Sequence, residues 1–167
     1  MTIKITLPDG KEVMANVAEE DLKKLMLTKK TGYERVDYRD SYYYEGHDGH
    51  VCRTKESGDG LDKDAYDAAN YYSDNIVAEN NARADKLYRQ LRRFAVEHRT
   101  EKLHWTVFSH NYYIYYDYNN RSLELDFVVV GRVHGGIYFD SRKTAQAAIA
   151  AFHDELIWYF TEYKDSL

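Results

Sequence analysis

The stretch from Asn111 to Tyr163 constrains the fold more than any other part of the chain. It opens with Asn-Tyr-Tyr-Ile-Tyr-Tyr-Asp (111–117), residues that suit a half-buried pleated surface. Asn119-Asn120 tolerates positive φ, so a two-residue hairpin turn is expected there. Leu123, Leu125 and Phe127 then alternate with Glu124 and Asp126, the period of a strand with one wet face. Val128–Val130 is continuously apolar, which predicts a strand running into a buried end. Gly135-Gly136 frees the chain to turn before a third strand at 136–139. Asp140 or Ser141 is placed to cap a helix. In that helix Ala145, Ala148, Ile149, Phe152, Leu156 and Phe160 form one apolar stripe, widened at its end by Trp158, Tyr159 and Tyr163.

A second passage has the same grammar. Tyr42-Tyr43-Tyr44, the Glu-Gly-His-Asp-Gly turn at 45–49 and His50–Thr54 predict another hairpin. Lys55–Asp64, with Gly58, Gly60 and several acids, reads as a loop. Ser73 or Asp74 caps a helix whose stripe is Ala84, Leu87, Tyr88, Leu91, Phe94 and Ala95. Tyr71-Tyr72-Ser73 before this helix echoes Tyr138-Phe139-Asp140-Ser141 before the other. The expectation is an α+β domain over about residues 38–165: a mostly antiparallel sheet shared by two units, with two long helices, about 77–97 and 142–162, packed on it.

The N-terminal residues read as a ββα appendage over 1–30. Ile3, Ile5 and Leu7 alternate, Pro8-Asp9-Gly10 makes a turn, and Lys11–Ala15 returns. Asn16 with Glu19 resembles a capping box ahead of Leu22, Leu25 and Met26. A piece this small cannot bury enough surface alone, so it is expected to dock or to self-associate into a homo-oligomer. Thr28–Arg35 is polar, contains Gly32, and reads as a linker.

Composition adds compartment and charge. No apolar run reaches the roughly 20 residues that span a bilayer, no signal peptide is visible, and Cys52 is the single cysteine. A cytoplasmic location is the expectation. From Asp37 to Glu79 eleven acids face four bases, whereas from Arg83 to Lys102 seven bases face three acids. Seventeen tyrosines, each an apolar ring with a wet hydroxyl, suit half-buried sheets and binding surfaces alike.

The chemistry-bearing patterns are few. His47, His50 and Cys52 follow no standard zinc spacing, and Asp59, Asp62, Asp64 and Asp67 lack the register of a calcium loop. No nucleophile elbow, phosphate loop or dinucleotide fingerprint is present. Neither a metal nor a cofactor is expected, and the chain is not expected to be an enzyme. Two binding surfaces stand out. The acidic one would use Tyr42, Tyr43, Tyr44, Asp59, Asp62, Asp64, Asp67, Tyr71 and Tyr72, steering toward a basic protein partner. The basic one would use Arg89, Arg92, Arg93 and Arg99 on nucleic acid, with tyrosines stacking on bases. A small nucleotide ligand held among the tyrosines is a third reading.

Residues 40–163 resemble a group of small proteins encoded by phages and prophages of Gram-positive bacteria, whose function is generally unassigned. The resemblance rests on Tyr42-Tyr43-Tyr44, Ala82 with Leu87–Leu91, Trp105, Tyr113-Ile114-Tyr115-Tyr116-Asp117, and Gly136-Ile137-Tyr138-Phe139-Asp140-Ser141 with Ala145 and Ala148-Ile149. The group usually starts its helices with Thr or Ser and several glutamates; Asp74-Asn75 and Arg142-Lys143 depart from that. The resemblance implies a phage accessory context and supplies no catalytic residues. By analogy, the expected function is binding and inhibiting a host defence protein, as an anti-CRISPR inhibitor of a CRISPR effector or another anti-defence protein would do.

Overall fold

A computed structural model describes residues Thr2–Thr6, Glu12–Asn16 and 30–165. The described residues form nine elements in order: β1 (Thr2–Thr6), β2 (Glu12–Asn16), β3 (Ser41–Glu45), β4 (Val51–Lys55), α1 (Gly60–Asp67), α2 (Asn75–Glu97), β5 (Asn111–Asp117), β6 (Ser122–Val128) and α3 (Arg142–Thr161). The class is α+β. Hydrophobic alternation and local turn chemistry pair the strands as three antiparallel hairpins, β1–β2, β3–β4 and β5–β6. No described helix is long and apolar enough to cross a membrane.

The expected single sheet is corrected: the hairpins do not join one another. Two of them, β3–β4 and β5–β6, are instead extended by one residue each. Tyr72 exchanges both backbone hydrogen bonds with Tyr43, at 2.8 and 2.9 Å, and Phe139 does the same with Tyr112, at 2.9 and 2.8 Å. The expected strand at 136–139 is therefore an isolated bridge. In both units the bridge residue leads directly into a capped helix. Asp74 accepts hydrogen bonds from the Ile76 and Val77 amides at the start of α2, and Ser141 accepts from the Thr144 amide at the start of α3.

The main core lies where α2, α3 and the β5–β6 hairpin meet. Leu87, Leu91, Ala95, Phe139, Ala145, Ala148 and Leu156 are buried there, with Ile114, Leu123 and Leu125 packed against them. Ala145 and Ala148 have no exposed surface, so small side chains let α3 sit close on its neighbours. Arg83 of α2 donates two hydrogen bonds to Glu155 of α3 and stands over the Trp158 ring, tying the helices together. α3 carries non-helical torsions at Phe152.

Other expectations shift. The β5–β6 register pairs Asp117 with Ser122, so the loop is Tyr118–Arg121 rather than a two-residue turn. Asp117 holds it by accepting from the Asn119 and Asn120 amides. β6 ends at Val128; Val128 and Val129 are half-buried and Val130 is exposed, so the expected buried strand end is not reached. The segment 55–64 is not all loop: Asp59 and Asp62 form a capping box that starts α1. Of the expected linker Thr28–Arg35, the described residues 30–35 are not free. Gly32, at φ +92°, brings its backbone so close to Val77 that an added Cβ would lie 2.6 Å from a valine methyl. Beyond the β1–β2 hairpin, the proposed appendage helix lies outside the described residues.

Candidate functional site

Two cavities adjoin on one side of α2. The first, of about 480 Å³, lies between α2, the β5–β6 hairpin and the end of α3. Leu87, Leu91, Ile114, Ile137 and Leu156 give it aliphatic surface, and Tyr88, Tyr113, Tyr138, Tyr159, Phe160 and Tyr163 supply rings. Asp85 is the sole carboxylate in its lining. The Tyr163 hydroxyl, pushed up to about 12 by burial, donates to Asn81 at 3.0 Å.

The second cavity, of about 630 Å³, shares Tyr88, Tyr138 and the 133–137 turn with the first. Its wall carries Arg92, Arg99, Arg132 and His134, and no carboxylate. Tyr88, Arg92, Ala95 and Arg99 reach it because they recur at helical spacing along α2 and just past its end. Arg92 donates to the Tyr88 hydroxyl at 2.8 Å and stands 4.6 Å from that ring's centre. Arg132 stands 5.1 Å over Trp105. The Nε of Arg99 is buried with no hydrogen-bond partner.

The shared turn is built around glycine. Gly136 donates to the Val133 carbonyl at 3.0 Å, and Gly135 takes φ +75°. The Tyr138 hydroxyl accepts from the Val133 amide at 2.8 Å, and its ring lies where a Cβ on Gly136 would be, 2.7–2.8 Å away. Tyr138 in turn meets Trp105 edge to face, with ring centres 5.0 Å apart. The lip of the cavity is thus fixed by packing and hydrogen bonds.

Four of the nine acidic, tyrosine-rich candidates go into the interior. Tyr42, Asp62, Tyr71 and Tyr72 are 3%, 4%, 2% and 6% exposed. The Tyr42 hydroxyl donates to Asp62 at 2.8 Å, and Tyr71 donates to Glu56 at 2.8 Å. The Tyr42 and Tyr71 rings stack with centres 3.9 Å apart. Arg35 grips Glu56 with two hydrogen bonds of 3.0 Å. Burial pushes the Asp62 carboxyl up, but bonds from the Ser57 hydroxyl and amide, Tyr42 and Asp59 outweigh it and hold it well below the usual range. Arg35 and Tyr71 hold Glu56 low as well. Burial, reinforced by Asp62, drives the Tyr42 hydroxyl upward. Burial takes Tyr71 to about 12. Asp59 is exposed while capping α1; Asp64 and Asp67 are exposed along it; Tyr43 and Tyr44 are half-buried.

The four arginines of the basic helix divide. Arg92 and Arg99 face the recess, whereas Arg89 and Arg93 lie over the β3–β4 turn. Arg89 pairs with Glu45, and Arg93 lies 3.9 Å from Glu97. Arg132 and His134 complete the recess, and nothing in their local sequence ties them to α2. Among the described residues no cluster of His, Cys, Asp and Glu is arranged to hold a metal ion. No family model, no curated protein and no solved structure matches this chain.

Proposed function

We propose that this chain works by binding, and that it takes a small aromatic molecule bearing negative charge. The observation that carries the reading is the tyrosine-ringed cleft opening beside a recess of arginines without a carboxylate. Pockets of this size, mainly apolar with a few convergent polar groups, are the usual form of a ligand site. Aromatic rings would hold the flat part of the ligand and the guanidinium groups its charge. Should the resemblance to phage accessory proteins reflect shared function, binding would serve counter-defence by withdrawing a host molecule. A direct test uses anilinonaphthalene sulfonate, an aromatic anion whose fluorescence rises in apolar sites. Roughly one equivalent is expected to bind. Val133→Trp, at an exposed position on the shared lip, should abolish binding with the circular dichroism spectrum unchanged. Equal binding by both proteins would overturn the reading.

A second reading keeps the protein partner. It is favoured by the exposed row of Asp59, Asp64 and Asp67 beside Tyr66, which is 43% exposed on the same short helix. Such a surface would steer a basic host defence protein, such as a CRISPR effector, into contact. Changing the three aspartates to lysine should abolish capture of that partner and leave dye binding intact.

A further inference from the structure

We infer that the recess formed by Arg92, Arg99 and Arg132 is a phosphate site, and that the cleft and recess together take a nucleotide. This rests on the cleft being a ligand site and adds the chemical class of the ligand.

Seven of the eleven arginines lack an ion-pair partner among the described residues, and three of those seven gather on one cavity. Arg35 pairs with Glu56, Arg83 with Glu155, Arg89 with Glu45 and Arg93 with Glu97. Arg92, Arg99 and Arg132 line one cavity and have no carboxylate partner among the described residues. Three like charges facing one space repel unless an anion enters it. The buried, unpartnered Nε of Arg99 makes the same demand locally, because a desolvated donor costs free energy until an acceptor arrives. Guanidinium forks match the oxygens of a phosphate, which can accept from several arginines at once.

Two of the three guanidinium groups are already held. Arg92 rests on Tyr88 and Arg132 on Trp105, so less side-chain freedom is lost when an anion binds. Tyr88 and Tyr138 line both cavities. A base lying against these rings therefore has the arginines within reach of its phosphate. A carboxylate on an aliphatic chain would leave the rings unused, and inorganic phosphate would leave the cleft empty. A free nucleotide and one unit of a single strand present the same base and phosphate.

The test is calorimetry on the full chain with AMP, GMP, CMP and UMP, each beside its nucleoside, and with a single-stranded oligonucleotide. At least one monophosphate should bind ten-fold or more tighter than its nucleoside. Arg132→Gln, at an exposed side chain, should erase that preference, and Arg132→Lys should restore part of it. An oligonucleotide that competes with the monophosphate, and weakens steeply with salt, would identify the strand as the source; its failure to compete would identify the free nucleotide. Equal affinity for nucleotide and nucleoside, no binding of any nucleotide, or an unchanged preference in Arg132→Gln would overturn the phosphate assignment. If the dye still binds and Val133→Trp still abolishes it, the cleft reading stands without the phosphate. If the dye also fails, both fall.

Discussion

In the first hairpin–helix unit, residues 56–71 fold down over β3–β4. α1 and the loop before it bring Glu56 and Asp62 beneath the Tyr42 and Tyr71 hydroxyls, and almost every polar group there finds a partner. In the second unit the corresponding passage, 129–138, is a shorter glycine turn with no helix. It leaves a tyrosine-lined cleft on one side and an arginine recess on the other. The two units share a backbone plan, a hairpin followed by a one-residue bridge and a capped helix. They differ in what fills the space between bridge and hairpin. One copy spends that space on internal hydrogen bonds, and the other keeps it open. The difference places a sealed hydrogen-bond network in the first unit and the open cleft, beside the main core, in the second.

The largest effect should come from the bridge of the open unit. Phe139 is 1% exposed and sits in the core shared by α2, α3 and β5–β6. Phe139→Ala should cost about 3–5 kcal/mol in urea unfolding. A loss below about 1 kcal/mol would mean that this segment is not part of a common core.

A matched pair of hydroxyl deletions sharpens the contrast. Tyr42→Phe removes a buried bond to a carboxylate and should cost about 2 kcal/mol. Tyr113→Phe removes a 3.3 Å contact to exposed Asp126 and should cost under about 0.5 kcal/mol. Equal costs would erase the distinction between a sealed unit and an open one.

The smallest effect at neutral pH, and one that grows in acid, involves the carboxylates of the sealed unit. The Thr31 amide is the main cause that brings Glu34 down to about 2, with Thr31 and Ser73 hydroxyls assisting. Its folded value lies below its unfolded one, so its contribution is present above its ordinary value of 4.5 and is lost as pH falls toward about 2. Glu56 and Asp62 act in the same direction. Hydrogen exchange followed from pH 6 to pH 3 should show the amides of Tyr43, Tyr72 and Ser73 opening before those of Tyr112 and Phe139. Simultaneous opening would place the acid-sensitive groups elsewhere.

The sequence carried the periodic parts of this architecture. Apolar stripes located α2 and α3, tyrosine runs located β3 and β5, and the pairs Ser73-Asp74 and Asp140-Ser141 marked the helix starts, with Asp74 and Ser141 the actual caps. The echo between Tyr71-Tyr72-Ser73 and Tyr138-Phe139-Asp140-Ser141 reported the two equivalent bridges. What escaped was decided at long range. Tyr42 and Asp62 look like surface residues until a fold brings them 2.8 Å apart in the interior. Asp59-x-x-Asp62 was a legible helix start, masked by the glycines at 58 and 60. The recess was half legible: Tyr88, Arg92 and Arg99 share a helical face, but Arg132 and His134 arrive from a loop without periodicity.

The one-residue bridges have a consequence for how copies of the chain meet in solution. Each bridge covers the flank of β3 or β5, so β4 and β6 are left as the outer rims of their hairpins among the described residues. Such rims invite edge-to-edge growth between molecules. Here they carry charge at regular positions, Arg53 and Lys55 on β4 and Glu124 and Asp126 on β6. Two β6 rims aligned antiparallel about Leu125 would set Glu124 against Asp126 twice over, and two β4 rims aligned about Arg53 would set that arginine against itself. Like charges directly opposite are unfavourable in a ladder. Crowded copies of this tyrosine-rich chain are thereby discouraged from zipping together along identical rims.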